Sequence, residues 1–310
     1  MKKLGLVLGA AVLGLSLAAC NNANNEGLTS LSIICPSGTP ALGLANYKAA
    51  HEDVDFEIVE GSDPLIAAFN SKSNEIIVAP VNLGVKFYNT NDSYVLAKTF
   101  VWGNLFLASK SDLTSFNDVD GKKLVVFGQN QTPDIISKIL IQEKGLNVEV
   151  DYVPSVAEAN TALLSDSADY IITAEPAISK IKEAKGIKTI DLQAEYATVT
   201  NTSSYPQAGI FVKKDVKDDK LVKDTVNELL ESVTNTISNP DSSADNAILA
   251  SKSFETLGKD TLVKAIPNCH FQLLDKNDEK TAVNKYIQYL LDLGFENQVG
   301  KKLPNEEFYL

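Results

Sequence analysis

The chain has 310 residues, 44% hydrophobic and 22% charged, with a formal charge of −12. That length allows two domains of ordinary size, each able to bury a core without disulfides or a structural metal, and the composition excludes wholesale disorder and a collagen-like chain. The acidic balance argues against a nucleic-acid partner, and because all 28 basic residues are Lys, no bidentate guanidinium can grip a carboxylate or phosphate. Three Cys and two His, with no CxxC pair, are too few for a structural zinc site. No metal and no cofactor is expected.

Met1-Lys2-Lys3 is a short positive segment, and Leu4 to Leu17 is apolar and uncharged. Small residues close it at Leu17-Ala18-Ala19-Cys20. Residues 1–19 therefore read as a secretory signal, too short for a comfortable membrane span. The closing residues resemble the lipobox of bacterial lipoproteins, which implies cleavage before Cys20 and a lipid (diacylglyceryl and palmitate type) on its sulfur. Loss of Lys2 and Lys3 with the signal would take the formal charge from −12 to −14. Residues 20–30 are polar and Asn-rich and read as a lipidated tether. Of the remaining Cys, Cys35 and Cys269, sequence alone does not say whether they pair; buried free thiols are the favoured reading.

Downstream, strand and helix alternate. Strands are expected at 31–35, 54–59, 76–79, 94–100 and 104–109, the last two broken by Trp102-Gly103, with helices near 41–50, 64–70 and 82–88 between the earlier ones. The polar segment 112–121 marks a possible crossing. The rhythm then restarts with strands at 124–127, 148–153 and 170–173, and helices at 133–144, 156–164 and 176–185. After a soft stretch at 198–204 comes one more strand, 208–212, and then a mainly helical tail. Such alternation implies α/β architecture with two mixed, mostly parallel sheets flanked by helices.

Four times an apolar strand leads through a polar residue to Pro and a helix: Thr39-Pro40, Asp63-Pro64, Thr132-Pro133 and Glu175-Pro176. Pro suits the first helical position, and Thr or Asp before it can cap the helix. In open α/β sheets these junctions also lie at the carboxyl ends of the strands, where ligands bind. Two facing rows of helix starts would line a cleft with free N–H groups and no basic side chain.

Together with the lipobox and the acidic charge, the turns Pro36-Ser37-Gly38-Thr39-Pro40, Gly61-Ser62-Asp63-Pro64, Ala79-Pro80-Val81-Asn82 and Thr173-Ala174-Glu175-Pro176 resemble ABC-transporter solute-binding lipoproteins, in particular the nitrate/sulfonate/thiamine-precursor branch. The resemblance covers about residues 31–300. It implies a two-lobed, type II periplasmic-binding-protein-like fold with a hinged cleft: a discontinuous lobe one, residues 28–110 and 205–310, and a continuous lobe two, 111–204. It places Ser37, Gly38, Thr39, Ser62, Asp63, Val81 and Asn82 on the lobe-one wall. Trp102 and Asn104 fall near the hinge, Gly128, Gln129, Asn130, Thr132 and Glu175 on lobe two, and Tyr205 and Gln207 at the return.

Bland roles compete for several of these: Trp102 as a hydrophobic plug, Glu175 as a helix-dipole partner, Asp63 as a cap, His270 as a satisfied loop residue. The resemblance further implies ABC permease and ATPase partners, a monomer held by its lipid on the outer face of the bacterial membrane, and a small-molecule ligand. A thiamine-precursor-like pyrimidine or other nitrogen heterocycle, stacked on Trp102 or Tyr205 with its amine on Glu175, is favoured over a sulfonate or nitrate-type anion, since a buried carboxylate beside an anion is costly. An enzyme or a non-transport surface sensor on the same fold are the other readings. No nucleophile–base pair supports the enzyme.

Overall fold

The structure is a computed structural model that describes residues 27–310; the expected signal, Cys20 and the tether up to residue 26 lie outside the described residues. In chain order the elements are β1 (Ser32–Pro36), α1 (Thr39–Gly43), α2 (Ala45–Ala50), β2 (Asp55–Val59), α3 (Asp63–Ser71), β3 (Ile76–Pro80), α4 (Val81–Asn91), β4 (Tyr94–Val101) and β5 (Leu105–Ser109). There follow β6 (Lys123–Phe127), α5 (Thr132–Glu143), β7 (Glu149–Val153), α6 (Val156–Leu164), β8 (Tyr170–Ala174), α7 (Ala177–Lys185), β9 (Lys188–Asp191), α8 (Leu192–Thr200) and β10 (Ala208–Lys213). The tail holds α9 (Lys220–Ser238), α10 (Pro240–Ala250), α11 (Lys252–Leu257), α12 (Lys259–Ala265) and α13 (Lys276–Asp292). Among the described residues no helix is long and apolar enough to cross a membrane.

The strands form two five-stranded sheets, ordered β2-β1-β3-β10-β4 and β7-β6-β8-β5-β9. The sheets are mixed, with four parallel and four antiparallel pairings, rather than mostly parallel. The reason is topological. The chain crosses between sheets, so β10 enters the first antiparallel to β3 and β4, and β5 enters the second antiparallel to β8 and β9. The run Ile76-Ile77-Val78-Ala79 is buried throughout because helices cover both faces of the first sheet. At about 1.5–3 kcal/mol for each large side chain withdrawn from water, such central strands anchor the two lobes.

Two sequence expectations change here. Residues 105–109, which a boundary at 110 assigns to lobe one, pair with β8 and β9 in the second sheet. The crossing therefore falls at Trp102-Gly103-Asn104, between β4 and β5, and not in the polar segment 112–121. Residues 188–200, to which the sequence assigns no element apart from a soft stretch beginning at 198, form β9 and α8.

Candidate functional site

The Pro junctions bring several expected residues together where the two sheets face each other. Thr39, at the start of α1, is buried; its Oγ1 donates to the Glu175 carbonyl at 2.9 Å, and Asn104 Nδ2 donates to the same hydroxyl at 3.1 Å. Thr132, at the start of α5, donates from Oγ1 to Asn82 Oδ1 at 3.3 Å. Each contact joins an element of one sheet to an element of the other. Neither Thr caps its own helix, and Asp63 is exposed with no side-chain cap bond. The capping expectation thus fails at these three junctions, because the N-cap positions fall one residue earlier, on Gly38, Ser62 and Gln131, and the hydroxyls of Thr39 and Thr132 are committed across the interface.

Glu175 behaves differently. It is 4% exposed, and its carboxylate accepts from Ser179 Oγ at 2.9 Å and from the Ser179 N–H at 3.3 Å, in the first turn of α7. Burial pushes this carboxyl up from 4.5 to about 7, against the opposing pull of the Ser179 hydrogen bonds and of Lys182 and His270. A carboxyl poised near neutrality can accept a hydrogen bond when ionised and donate one when protonated.

Around the crossing segment, three buried side-chain amide oxygens have no donor among the described residues: Asn104 Oδ1, Gln193 Oε1 and Gln207 Oε1. Their backbones tie them to one locality. The Gln207 N–H donates to the Val101 carbonyl at 2.8 Å, the Val81 N–H to the Gln207 carbonyl at 3.4 Å, and the Glu175 N–H to the Asn104 carbonyl at 3.2 Å. Gly103 has φ +88°, and a Cβ there would sit 2.7 Å from Gln193 Oε1. Only glycine fits this turn, and it lets Gln193 lie against the backbone.

Other expected residues are peripheral or structural. Ser37 Oγ donates to Glu60 Oε2 at 2.6 Å, within the first lobe. Ser62 is buried, while Gly38 is half-buried at the N-terminus of α1. Gly128 is buried and its N–H donates to Val153 at 3.2 Å; Gln129 and Asn130 are exposed on the same loop. Asp134 holds that loop, accepting from the Asn130 N–H at 2.7 Å, Tyr152 Oη at 2.9 Å and Lys138 Nζ at 2.8 Å. Trp102 is 2% exposed and its Nε1 donates to the Gln272 carbonyl at 3.1 Å, the plug role. Tyr205 is fully buried, edge-on to Tyr196 with centroids 5.2 Å apart.

Sequence reasoning missed Gln193 and Asp191 because β9 and α8 were not read; an Asp two residues before a Gln at a helix start was the available signal. His270, read as a loop residue, pairs through Nε2 with Asp191 Oδ2 at 3.2 Å. Cys35 and Cys269 are free and buried, and burial pushes both thiols up. Cys269 Sγ lies 3.6 Å from Thr39 Oγ1, against the same interface. Among the described residues no group of three His, Cys, Asp or Glu side chains is arranged to hold a metal ion.

Two mixed sheets, each flanked by helices and joined by crossing strands, make this the periplasmic-binding-protein fold, and comparisons with solved structures agree. An ABC transporter structure from Parabacteroides distasonis matches with a TM-score of 0.74 at 19% identity, over 91% of this chain and 99% of that one. The periplasmic aliphatic sulphonate binding protein SsuA of Escherichia coli matches with a TM-score of 0.65 at 12% identity, over 89% and 92%. A Candida albicans protein described as having the generic periplasmic binding protein fold matches at 0.56 and 13% identity, over 90% and 99%. In sequence, residues 96–243 match the family model described as NMT1/THI5 like. This stretch holds the crossing, the whole second sheet and the return, so the chain resembles the nitrate/sulfonate/thiamine-precursor branch where the candidate site is built. No curated protein matches it in sequence.

Proposed function

We propose that this protein is an extracytoplasmic solute-binding lipoprotein of an ABC importer. It captures a small ligand between two lobes and hands it to a permease without making or breaking a bond. The lobes are taken to meet at residues 102–104 and 204–207, and Cys20 to be the lipidated anchor. The observation that carries the ligand class is the set of amide oxygens on Asn104, Gln193 and Gln207 that have no donor among the described residues, in the segment where the Glu175 N–H meets the Asn104 carbonyl. A buried acceptor without a donor costs about 1–3 kcal/mol, and a ligand bearing N–H groups relieves that cost. A thiamine-precursor-like pyrimidine or other amine-bearing heterocycle has such groups; a sulfonate does not.

A sulfonate or nitrate-type anion is the second reading. It is favoured by the similarity to sulphonate-binding structures and by the starts of α1 and α5 at the lobe interface, since helix N-termini attract anions. Native mass spectrometry of protein purified from its own host tests the proposal. A copurified nitrogen-rich small molecule, released on denaturation, is expected; a copurified sulfur oxyanion would reverse the order of the two readings. Intact-mass analysis of the membrane fraction tests the anchor, and an unmodified Cys20 internal to the chain would refute it.

A further inference from the structure

One contact at the lobe interface, between His270 and Asp191, lies outside the set of ligand acceptors. His270 belongs to the first lobe: its carbonyl accepts from the Trp102 N–H at 3.0 Å, and the next residues pair with β4 through Phe271 and Gln272. Asp191 ends β9 in the second sheet, where it pairs with Phe106. The 3.2 Å contact between them therefore spans the two lobes, with both side chains partly exposed, at 26% and 34%. Asp191 has a second task. Its Oδ1 accepts from the Gln193 N–H at 2.7 Å and caps α8, fixing the residue whose side-chain oxygen faces Gly103. Glu175 lies close enough to His270 to feel its charge and close enough to Cys269 to raise that thiol, and its backbone carbonyl accepts from Thr39 of the first lobe.

We propose that Asp191 and His270 are positioning residues that, with Glu175, couple lobe closure to proton uptake, so that mild acid holds the lobes together and alkaline pH loosens them. This rests on the reading of the two lobes as a closing pair. The groups that face the cluster are Lys182 and Ser179 from α7, Cys269 from the loop before His270, and Tyr205 from the return segment. Burial alone would raise Asp191, but the His270 hydrogen bond and charge and the N–H groups of Gln193 and Ala194 hold it below the usual range. Asp191 therefore stays charged through mild acid. The His270 contact is ionic only while the imidazole is protonated. Glu175 works in the same direction. Burial holds its carboxyl up at about 7, so an arrangement that leaves it less covered binds that proton more weakly, and its contribution to closure is lost as pH rises through 7.

Small-angle scattering of the ligand-free protein across pH 5.5–8.5 tests the coupling, with melting curves recorded on the same samples. The wild type is expected to be compact at pH 5.5 and to gain radius of gyration as pH rises through 7. Glu175→Gln, uncharged at every pH, should stay compact at pH 8.5. Asp191→Asn and His270→Gln should each be more expanded than wild type at pH 5.5, with a shallower pH response. A wild-type radius that does not change with pH overturns the proposal even if every variant fails to fold. So does a wild-type response that all three folded variants reproduce unchanged. Because no ligand is present, failure here leaves the ligand class untouched, and an unidentified ligand leaves this result readable.

Discussion

Replacing Glu175 by Gln separates a buried, titrating carboxyl from a simple helix partner. The wild-type carboxyl is 4% exposed and shifted from 4.5 to about 7, chiefly by burial. At about 1.4 kcal/mol for each tenfold step in proton affinity, the ionised form carries a penalty of about 3 kcal/mol at pH 8. Gln keeps an acceptor for Ser179 Oγ but loses one bond, that from the Ser179 N–H at 3.3 Å, at about 0.5–1.5 kcal/mol. The net expectation is stabilisation by about 2 kcal/mol at pH 8. At pH 5, where wild-type Glu175 is already protonated, the same change should be neutral or slightly destabilising. Each kcal/mol moves the melting temperature by about 2–4 °C in a chain of this order of size, so differential scanning fluorimetry at the two pH values reads the difference directly. Wild-type stability should fall as pH rises through 7, while the variant stays flat. Equal melting shifts at pH 5 and pH 8 would refute the buried-carboxyl reading. If Glu175 also accepts from a ligand, affinity should fall ten- to a hundredfold, the value of a charged hydrogen bond of about 1–3 kcal/mol.

Three further outcomes follow from the same contacts. Gly103→Ala places a Cβ 2.7 Å from Gln193 Oε1 at φ +88°; a loss of about 1–3 kcal/mol is expected in denaturant melts, and an unchanged midpoint would contradict the packing. Glu279 is buried against Lys98 at 3.1 Å and also accepts from the Thr99 N–H, so Glu279→Ala, which leaves Lys98 only the Leu274 carbonyl and the Thr99 N–H without its acceptor, should cost about 3 kcal/mol in denaturant melts. Cys35 and Cys269 are fully buried with thiols pushed up by desolvation; a thiol reagent should leave both unmodified in the native protein and modify both in guanidinium, and rapid native reaction would show that the interface opens readily.

Much of the architecture was legible because its signals are local. The buried run 76–79 and the strand 208–212 announce themselves by unbroken apolar character, and the Pro junctions mark where α1, α3 and α5 begin. What was hidden depends on partners distant in sequence. Residues 105–109 are as apolar as a lobe-one strand would be, and only their pairing with β8 and β9 assigns them to the second sheet. β9 is a half-buried edge strand of four residues, and the apolar residues of α8 are not gathered on one marked face, so neither stands out by periodicity. At the site, Thr39 and Thr132 occupy positions where capping is the local expectation, and their hydrogen bonds to Glu175 and Asn82 depend on partners far away in sequence. The significance of His270 and Gln193 appears only once Asp191 is placed between them.

The central claim is that the lobe interface recognises a small molecule through acceptors on Asn104, Gln193, Gln207 and Glu175. Isothermal calorimetry of the purified protein against a panel of 4-aminopyrimidines and a panel of alkanesulfonates tests it most directly. Saturable binding of an aminopyrimidine, weakened in Glu175→Gln, with no response to sulfonates, is the expected result. Tight sulfonate binding that is indifferent to Glu175, with no pyrimidine response, would contradict it.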